Sequence, residues 1–412
     1  MITVLFDATR LFLRGGSAAP TGIDRVTLAY GRWLVARSDV QIIPIWSLGG
    51  WPATLAPGRL HRLLRPATSE TVGDDDWPRL AKALAAPAAG GDTLRARARN
   101  LPAATALGRY VGAGMDALGH WRPRPAPDGA VYMNVSHFGL EQPGLLRRME
   151  ARGAKSVVMI HDLIPITHPE FCGPGAERWH RTRLRATLAH ASLIIANSNT
   201  TARDLEDFAR DETLPLPAVC VAPLGLEPEF LAPRADGLAV KPYFVCVGTI
   251  EPRKNLAFLL TLWRRLAERL GEACPRLVLV GRRGWENESV IDHLQRSPPI
   301  RRWVHEVDNL GDANLARLIA GATALLAPSF TEGFDLPAAE ARALGTPVIA
   351  SDIAVHRELA LGATLIDPLD GSGWLAALEA ALTSPAMRTP ALRYTWERHF
   401  AVVAQAMGFP SG

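Results

Sequence analysis

The 412-residue sequence is short of several things, and each shortage narrows what it encodes. Cysteine occurs four times, at Cys172, Cys220, Cys246 and Cys274, with no CxxC pair and no Cys/His cluster. Neither a disulfide framework nor a zinc site is indicated, and incidental thiols in a reducing compartment are expected. No apolar run approaches the roughly 18 residues of a membrane span, and the N-terminal stretch meets Asp7 too early for a signal-peptide core. There is no G-x-G-x-x-G fingerprint and no Walker A sequence, which removes support for hydride transfer and P-loop chemistry. Lysine is scarce as well. Only Lys82, Lys155, Lys241 and Lys254 stand among 45 basic residues, so the placement of each carries more information than usual.

What is present is ordinary globular composition, 48% hydrophobic and 21% charged. At roughly 150 residues per domain the length suggests two or three domains. Basic residues outnumber acidic ones by 45 to 41, and residues 51–128 hold the entire excess, 11 against 7. Elsewhere acids match bases, which speaks against nucleic acid as a partner.

Short β-branched runs alternate with helical patterns from end to end. The candidate strands are 2–6, 40–46, 130–135, 156–161, 193–197 and 219–223, then 243–248, 276–280, 304–307, 323–327, 347–351 and 364–367. Between them lie amphipathic helices. In 255–270, Leu256, Leu259, Leu260, Trp263, Leu266 and Leu270 share one 3.6-period face and Gly271 stands at the exit. Strands buried on both faces and separated by helices predict parallel sheets with right-handed crossovers. The pattern occurs twice around a proline-rich break at 226–242, so the expected class is α/β with two facing Rossmann-like domains and a ligand cleft between them. The expected bounds are 1–230 for the first domain, 240–390 for the second, and 391–412 for a final helix crossing back to the first.

Residues 51–128 interrupt the first domain. Ala and Pro make up 26 of these 78 residues. Leu107, Tyr110, Val111, Met115 and Leu118 keep helical spacing there, near Arg95, Arg97, Arg99 and Arg109. Such a piece either lies on an anionic bilayer surface or packs on its own domain. Asp74-Asp75-Asp76 has no strand leading into it and is taken as a solvated acidic turn, not a metal ligand set.

The most informative stretch is Pro328-Ser-Phe-Thr-Glu332-Gly-Phe-Asp335-Leu-Pro337-Ala-Ala-Glu340. It follows an apolar strand and opens a helix, with Pro337 suited to the first turn. A helix N-terminus with free N–H groups attracts phosphate, and a carboxylate beside it can bind sugar hydroxyls. An Asp at 335 can cap that helix itself, competing for the same N–H groups. Arg253 and Lys254 lie just past strand 243–248 at its carboxyl end, where adjacent cations would stabilise a departing diphosphate. His161 ends the run Ser156-Val-Val-Met-Ile160 and is followed by Asp162. At that strand end an imidazole points into the cleft, where it can hydrogen-bond a sugar or an acceptor. Asp162 would orient that ring or position the acceptor. Gly15-Gly16 and Thr21-Gly22 permit close backbone approach between the first strand and a helix. The Gly281-Arg282-Arg283-Gly284 turn either flanks a base or is an exposed basic turn.

Glu332 and Glu340 together are similar to the E-x7-E motif of family-4 retaining glycosyltransferases, which have the GT-B fold. The segment Val247-Gly-Thr-Ile-Glu-Pro-Arg253-Lys254-Asn255 looks like that family's diphosphate-binding segment. Leu277-Val-Leu-Val-Gly281, the helix from Asp312, and Gly345-Thr-Pro-Val-Ile349 also fit, as do Thr21-Gly-Ile-Asp-Arg25 and His161-Asp162 more loosely. With Glu-Pro-Arg-Lys-Asn, the run His161-Asp-Leu-Ile-Pro-Ile-Thr-His-Pro-Glu170 resembles bacterial polysaccharide and O-antigen mannosyltransferases in particular.

By that resemblance the chain is a cytoplasmic enzyme, free or peripheral to the membrane's inner face. It would move a hexose with retention from a nucleotide sugar to a glycan or lipid-linked oligosaccharide, with mannose from GDP-mannose as the expected donor. Catalysis would involve His161, Glu332, Arg253 and Lys254. Donor binding would involve Gly22, Gly248, Arg253, Lys254, Gly281, Glu332, Gly333, Phe334, Asp335, Leu336 and Glu340, with Glu332 on the transferred sugar and Glu340 on the ribose hydroxyls. Gly16 and Asp162 would face the acceptor. Asp335 departs from the family's usual glycine, and Thr249 stands where many members carry an arginine, a charge Arg253 would replace. No cofactor and no divalent metal is required. The rival expectations are a non-catalytic sugar-nucleotide-binding paralogue and a GT-B sugar-nucleotide epimerase.

Overall fold

The computed structural model describes residues 1–14, 21–55, 57–64, 76–85, 94–95, 127–142, 144–232, 242–308, 310–359, 362–383 and 394–410. Gly15, Gly16, Asp74, Asp75, the stretch 107–118 and linker residues 233–241 lie outside the described residues.

Among the described residues, two sheets of seven strands account for the alternating pattern. The first contains β1 (Ile2–Asp7), β2 (Val40–Leu48), β3 (Trp51–Thr54), β5 (Val131–Asn134), β6 (Lys155–Ile160), β7 (Ala191–Ala196) and β8 (Ala218–Val221), in the order β3-β2-β1-β5-β6-β7-β8. All its pairs are parallel except β2 with the edge strand β3. The second contains β4 (Leu94–Arg95), β9 (Tyr243–Val247), β10 (Arg276–Val280), β11 (Val304–Asp308), β12 (Ala324–Ala327), β13 (Val348–Ser351) and β14 (Thr364–Ile366), in the order β14-β13-β12-β9-β10-β11-β4, parallel throughout. Central strands such as Arg276–Val280 are buried along their length, which is why they carry near-continuous Val and Leu rather than an alternating pattern. The helix Leu256–Leu270 buries Leu256, Leu259, Leu260, Leu262, Trp263 and Leu266 against the second sheet. At about 1.5–3 kcal/mol per large apolar side chain fully removed from water, that stripe fixes the helix firmly.

The strand orders locate the site. In each sheet the chain first builds outward in one direction and then returns to build the other side. The order reverses between β1 and β5 in the first sheet and between β9 and β12 in the second. Ligands in open parallel sheets bind beyond the carboxyl ends of the strands at this reversal. Gly248 follows β9 there, and the segment 328–335 follows β12.

Two structural features depart from the sequence reading. The insertion at 51–128 is not confined to its own domain. Its helix Pro57–Leu64 packs on the first-domain helix Gly22–Ala36, yet Leu94–Arg95 adds a seventh strand beside β11 of the second sheet. The guanidinium of Arg317 lies 4.2 Å from the Trp77 ring centroid, and Arg276 donates to the Ala85 carbonyl at 3.0 Å, so helix Asp76–Ala85 rests on the second domain as well. The edge strand β3 has no counterpart among the candidate strands; its Pro52 is tolerated at a sheet edge.

The C-terminal helix Trp396–Ala406 packs on the first domain. Tyr30 Oη and His399 Nε2 are 2.7 Å apart, and the Trp33 and Phe400 rings stack at 4.5 Å. Its entry is seated on Gly225, where a Cβ would lie 2.6 Å from Trp396 Cα. Overpacking of this kind costs about 1–3 kcal/mol. Gly225→Ala is therefore expected to lower the thermal midpoint by several degrees in differential scanning calorimetry, whereas Gly58→Ala, which meets open space, is expected to leave it within about one degree.

Candidate functional site

The centre of the site is one buried carboxylate facing two cations. A single helical turn, Pro252–Lys254, follows β9 and projects Arg253 and Lys254 side by side. The loop after β12 carries Glu332 toward them. Lys254 Nζ lies 2.6 Å from Glu332 Oε1, and Arg253 Nη1 is ion-paired with Glu332 Oε2. Arg253 is further fixed by Glu251 Oε1, which accepts from Nη2 at 2.6 Å and Nε at 2.9 Å, and by the Thr331 carbonyl at 3.1 Å. Burial by itself would push the Glu332 carboxyl up, but Arg253 and Lys254 overcome it and hold the group well below the usual carboxylate range. Burial likewise works against the Lys254 ammonium, and Glu332 and Asp335 outweigh it, leaving its pKa raised.

The loop joining this cluster to the next helix touches the first domain. A Cβ on Gly333 would overlap the His161 carbonyl oxygen and lie 2.9 Å from Asp162 Cβ, so only glycine permits this approach. Ser198 Oγ donates to the Gly333 carbonyl at 2.8 Å, pinning the loop from the same side. Gly22, at the start of helix Gly22–Ala36, faces Leu336: a Cβ there would sit 3.3 Å from Leu336 Cδ1. The backbones of Gly248 and Gly281 lie against each other beneath the Lys254 stem. Phe334 is different. Its ring is buried and meets Tyr394 edge-on at 5.7 Å, so its side chain belongs to the core and only its backbone faces the loop.

His161 is oriented by its surroundings. Its Nε2 lies 2.8 Å from the Val135 carbonyl, an acceptor, so that nitrogen carries the proton and Nδ1 is the ring's acceptor. Its backbone N–H donates to His137 Nε2 at 3.0 Å, and Asn197 holds its carbonyl at 2.8 Å. Burial pushes the His161 imidazole below its ordinary pKa, which favours the neutral ring. Asp162 does not turn toward that ring. Its Oδ1 accepts from the Ile164 N–H at 3.1 Å and its carbonyl from His180 at 2.9 Å, which makes it a turn-forming residue beside Gly333.

Asp335 does not cap the helix Leu336–Ala343. It takes a left-handed conformation, φ 61°, the region where glycine is at ease, and its carboxylate turns away to His356 Nε2 at 2.8 Å. His356 Nδ1 points at the Ser351 carbonyl, also at 2.8 Å. Both ring nitrogens thus face acceptors, which defines an imidazolium paired with a carboxylate. Burial opposes that charge, and Asp335 raises the His356 pKa regardless. The backbone N–H groups of the helix start therefore face no side-chain cap from Asp335.

Sequence reasoning misses Arg25. From the first-domain helix it reaches Glu340 Oε1 at 2.6 Å and also pairs with Asp312. It belongs to the stretch Thr21–Arg25, but its partner is 315 residues away and nothing local marks the pair. Even so, burial dominates at Glu340 and pushes its carboxyl up to about 7. Arg283 pairs with Glu306 of β11 through two bonds, at 2.7 and 2.8 Å, so the basic turn is tied to the sheet. The four thiols are unpaired, and among the described residues no His, Cys, Asp or Glu group is arranged to hold a metal ion.

Two facing parallel-sheet domains with the site at both strand reversals are the GT-B architecture. The chain superposes on sucrose-phosphate synthase from Thermosynechococcus elongatus with a TM-score of 0.61 at 17% identity, covering 99% of this chain and 96% of that one. It superposes on Anabaena HepE, solved with UDP and glucose, at 0.58 and 15% identity over 98% and 95%. Residues 241–384 match the family described as Glycosyl transferases group 1. Over 245 residues the chain is 31% identical to the serotype-specific mannosyltransferase WbdA of Escherichia coli, covering 55% of this chain and 29% of WbdA. It is 28% identical over 267 residues to the O-antigen chain mannosyltransferase B of the same species, covering 59% and 67%. The chain thus spans less than a third of WbdA, the longer of these two relatives.

The raised Glu340 pKa has a measurable sign. Between about 4.5 and 7 the unfolded carboxyl ionises while the buried one stays protonated, so this group's contribution falls as pH rises through that window and is flat above it. Glu340→Gln is expected to match wild-type thermal stability near pH 4.5 and to exceed it at pH 8. Equal midpoints at both pH values would show that Arg25 fully compensates the buried charge.

Proposed function

We propose that the chain is a retaining hexosyltransferase that moves mannose from GDP-mannose to a glycan or lipid-linked oligosaccharide in surface polysaccharide synthesis. The observation that carries this reading is the convergence of Arg253 and Lys254 on Glu332 at the strand reversal, one residue from a loop held against His161. Mannosyltransferase relatives and the group 1 domain support the hexose and the transfer; the guanine base rests on the mannosyltransferase likeness alone.

Without a donor, Arg253 and Lys254 are balanced by Glu332 and Glu251. An arriving diphosphate competes for the same N–H donors. Once the cations turn to phosphate, Glu332 is released toward the hydroxyls of the transferred sugar. The C1–O bond then breaks, negative charge grows on the leaving diphosphate, and the two preorganised cations stabilise it. The acceptor oxygen bonds to C1 on the same face, and its proton passes to the departing phosphate oxygen. No protein nucleophile is required; the chain's part is positioning and charge stabilisation. Neutral His161 accepts from a sugar hydroxyl through Nδ1, and Glu340, shared with Arg25, receives the ribose hydroxyls. No divalent metal enters this scheme. The acceptor enters from the first-domain side, and the basic excess of 51–128 supports contact with an anionic membrane surface. Among the described residues no helix is long and apolar enough to cross a membrane.

Thermal-shift titration with GDP-mannose, UDP-glucose, GDP and UDP tests the assignment. A ligand at 100 times its Kd adds about 2.7 kcal/mol. GDP-mannose is expected to give the largest shift, and Lys254→Ala and Glu340→Ala are each expected to remove most of it. If neither substitution weakens the best ligand, the site assignment is wrong. Mannosyl transfer to an α-linked mannotriose is expected to persist in EDTA; loss of turnover restored by a divalent ion would overturn the metal-free scheme.

A further inference from the structure

The lip of the cleft carries aromatic side chains that the reaction scheme leaves unused. Phe171, from the first domain, and Phe330, from the second, stack face to face with ring centroids 5.0 Å apart and planes 4° from parallel. Phe330 adjoins the cation cluster directly: its N–H donates to the Arg253 carbonyl at 3.0 Å, and Glu332 is two residues on. His168 also stacks with Phe171, at 6.0 Å. Trp285 completes the row. Its indole N–H donates to the Phe171 carbonyl at 3.2 Å while the residue remains 42% exposed.

Trp285 is not a loose surface side chain. It sits in a turn fastened to the segment leading into Arg253 and Lys254. Gly284 N–H donates to the Ile250 carbonyl at 2.9 Å, and Asn287 Nδ2 donates to the Gly284 carbonyl at 3.0 Å. A large indole held by the anchored Gly284 before it and by its own N–H, yet left in water, is an apolar surface kept in place at a cost. The pieces come from both domains and meet beside the reacting charges.

The geometry points to a subsite for the acceptor glycan: the exposed indole of Trp285, braced by the Phe171–Phe330 pair, forms a shelf on which a pyranose ring of the acceptor lies flat, presenting a hydroxyl to the Glu332 end. The C–H face of a pyranose is apolar and matches an aromatic face, while its hydroxyls stay free for water at the rim. This inference rests on the transferase reading above.

Two measurements test the shelf. In indole-labelled full-length protein, titration with α-linked mannotriose is expected to move the Trp285 Nε1–H resonance, with that of Trp374, buried in the second core, unmoved. With GDP-mannose as donor, Trp285→Ala and Phe171→Ala are expected to raise the mannotriose KM about tenfold, the scale of one lost aromatic contact, while GDP-mannose thermal shifts track wild type. Trp285→Phe is expected to recover most of the loss. A stationary Trp285 resonance, or an unchanged acceptor KM in an active enzyme, would overturn the shelf and leave the transferase reading standing. Equal losses of donor and acceptor binding would make Trp285 a clamp between domains and also overturn it. Absence of any turnover by wild type with a normal donor shift counts against the transferase reading, and the resonance titration still decides the shelf.

Discussion

A carboxylate removed from water must find positive charge or give up its own, and Glu332 meets that constraint with two partners at once. An exposed pair of this kind would contribute little, about 0–1 kcal/mol. Buried, the same charges depend on one another, because removing any member leaves the others uncompensated. Much of the second domain serves to deliver these groups to one point. Strand β9 ends in the turn that carries both cations, β12 ends in the loop that carries the acid, and their adjacency in the sheet brings the two ends together.

The same loop is where the domains meet. Gly333 lies against His161 and Ser198, Arg25 crosses to Glu340, and Glu358 of the second domain accepts from the first N–H groups of helix Asn199–Asp211 at 2.7 and 3.1 Å. Several contacts between the domains are therefore made by, or sit next to, residues proposed to hold the donor. Any ligand that redirects Glu340 or the Glu332 loop changes interdomain contacts too, which couples occupancy to the relation between the halves through ordinary differential binding.

How much of this is legible in the sequence depends on the range of the interaction. All twelve candidate strand positions are legible, because double-sided burial imposes apolar runs that need no partner to be recognised. Arg253, Lys254 and Glu332 can be singled out separately because each follows a strand, and parallel sheets place strand ends together. The order of the strands cannot be read, since hydrophobic pattern does not encode neighbours. Arg25 is invisible for the same reason. Asp335 reads as a cap because a short polar side chain before a helix ordinarily turns back; here a left-handed backbone aims it at His356, and only the fold brings that ring beneath it. The two-residue strand β4 carries too little pattern for any periodicity to register.

That small strand has a consequence for how the protein can be taken apart. Because Leu94–Arg95 pairs with Val307–Asp308, the flank of the second sheet is sealed by chain that precedes most of the first. A fragment cut at the proline-rich break would leave β11 with a bare row of amide and carbonyl groups, an open template for self-association. The two halves are interlaced rather than strung in series, and neither is a complete module by itself.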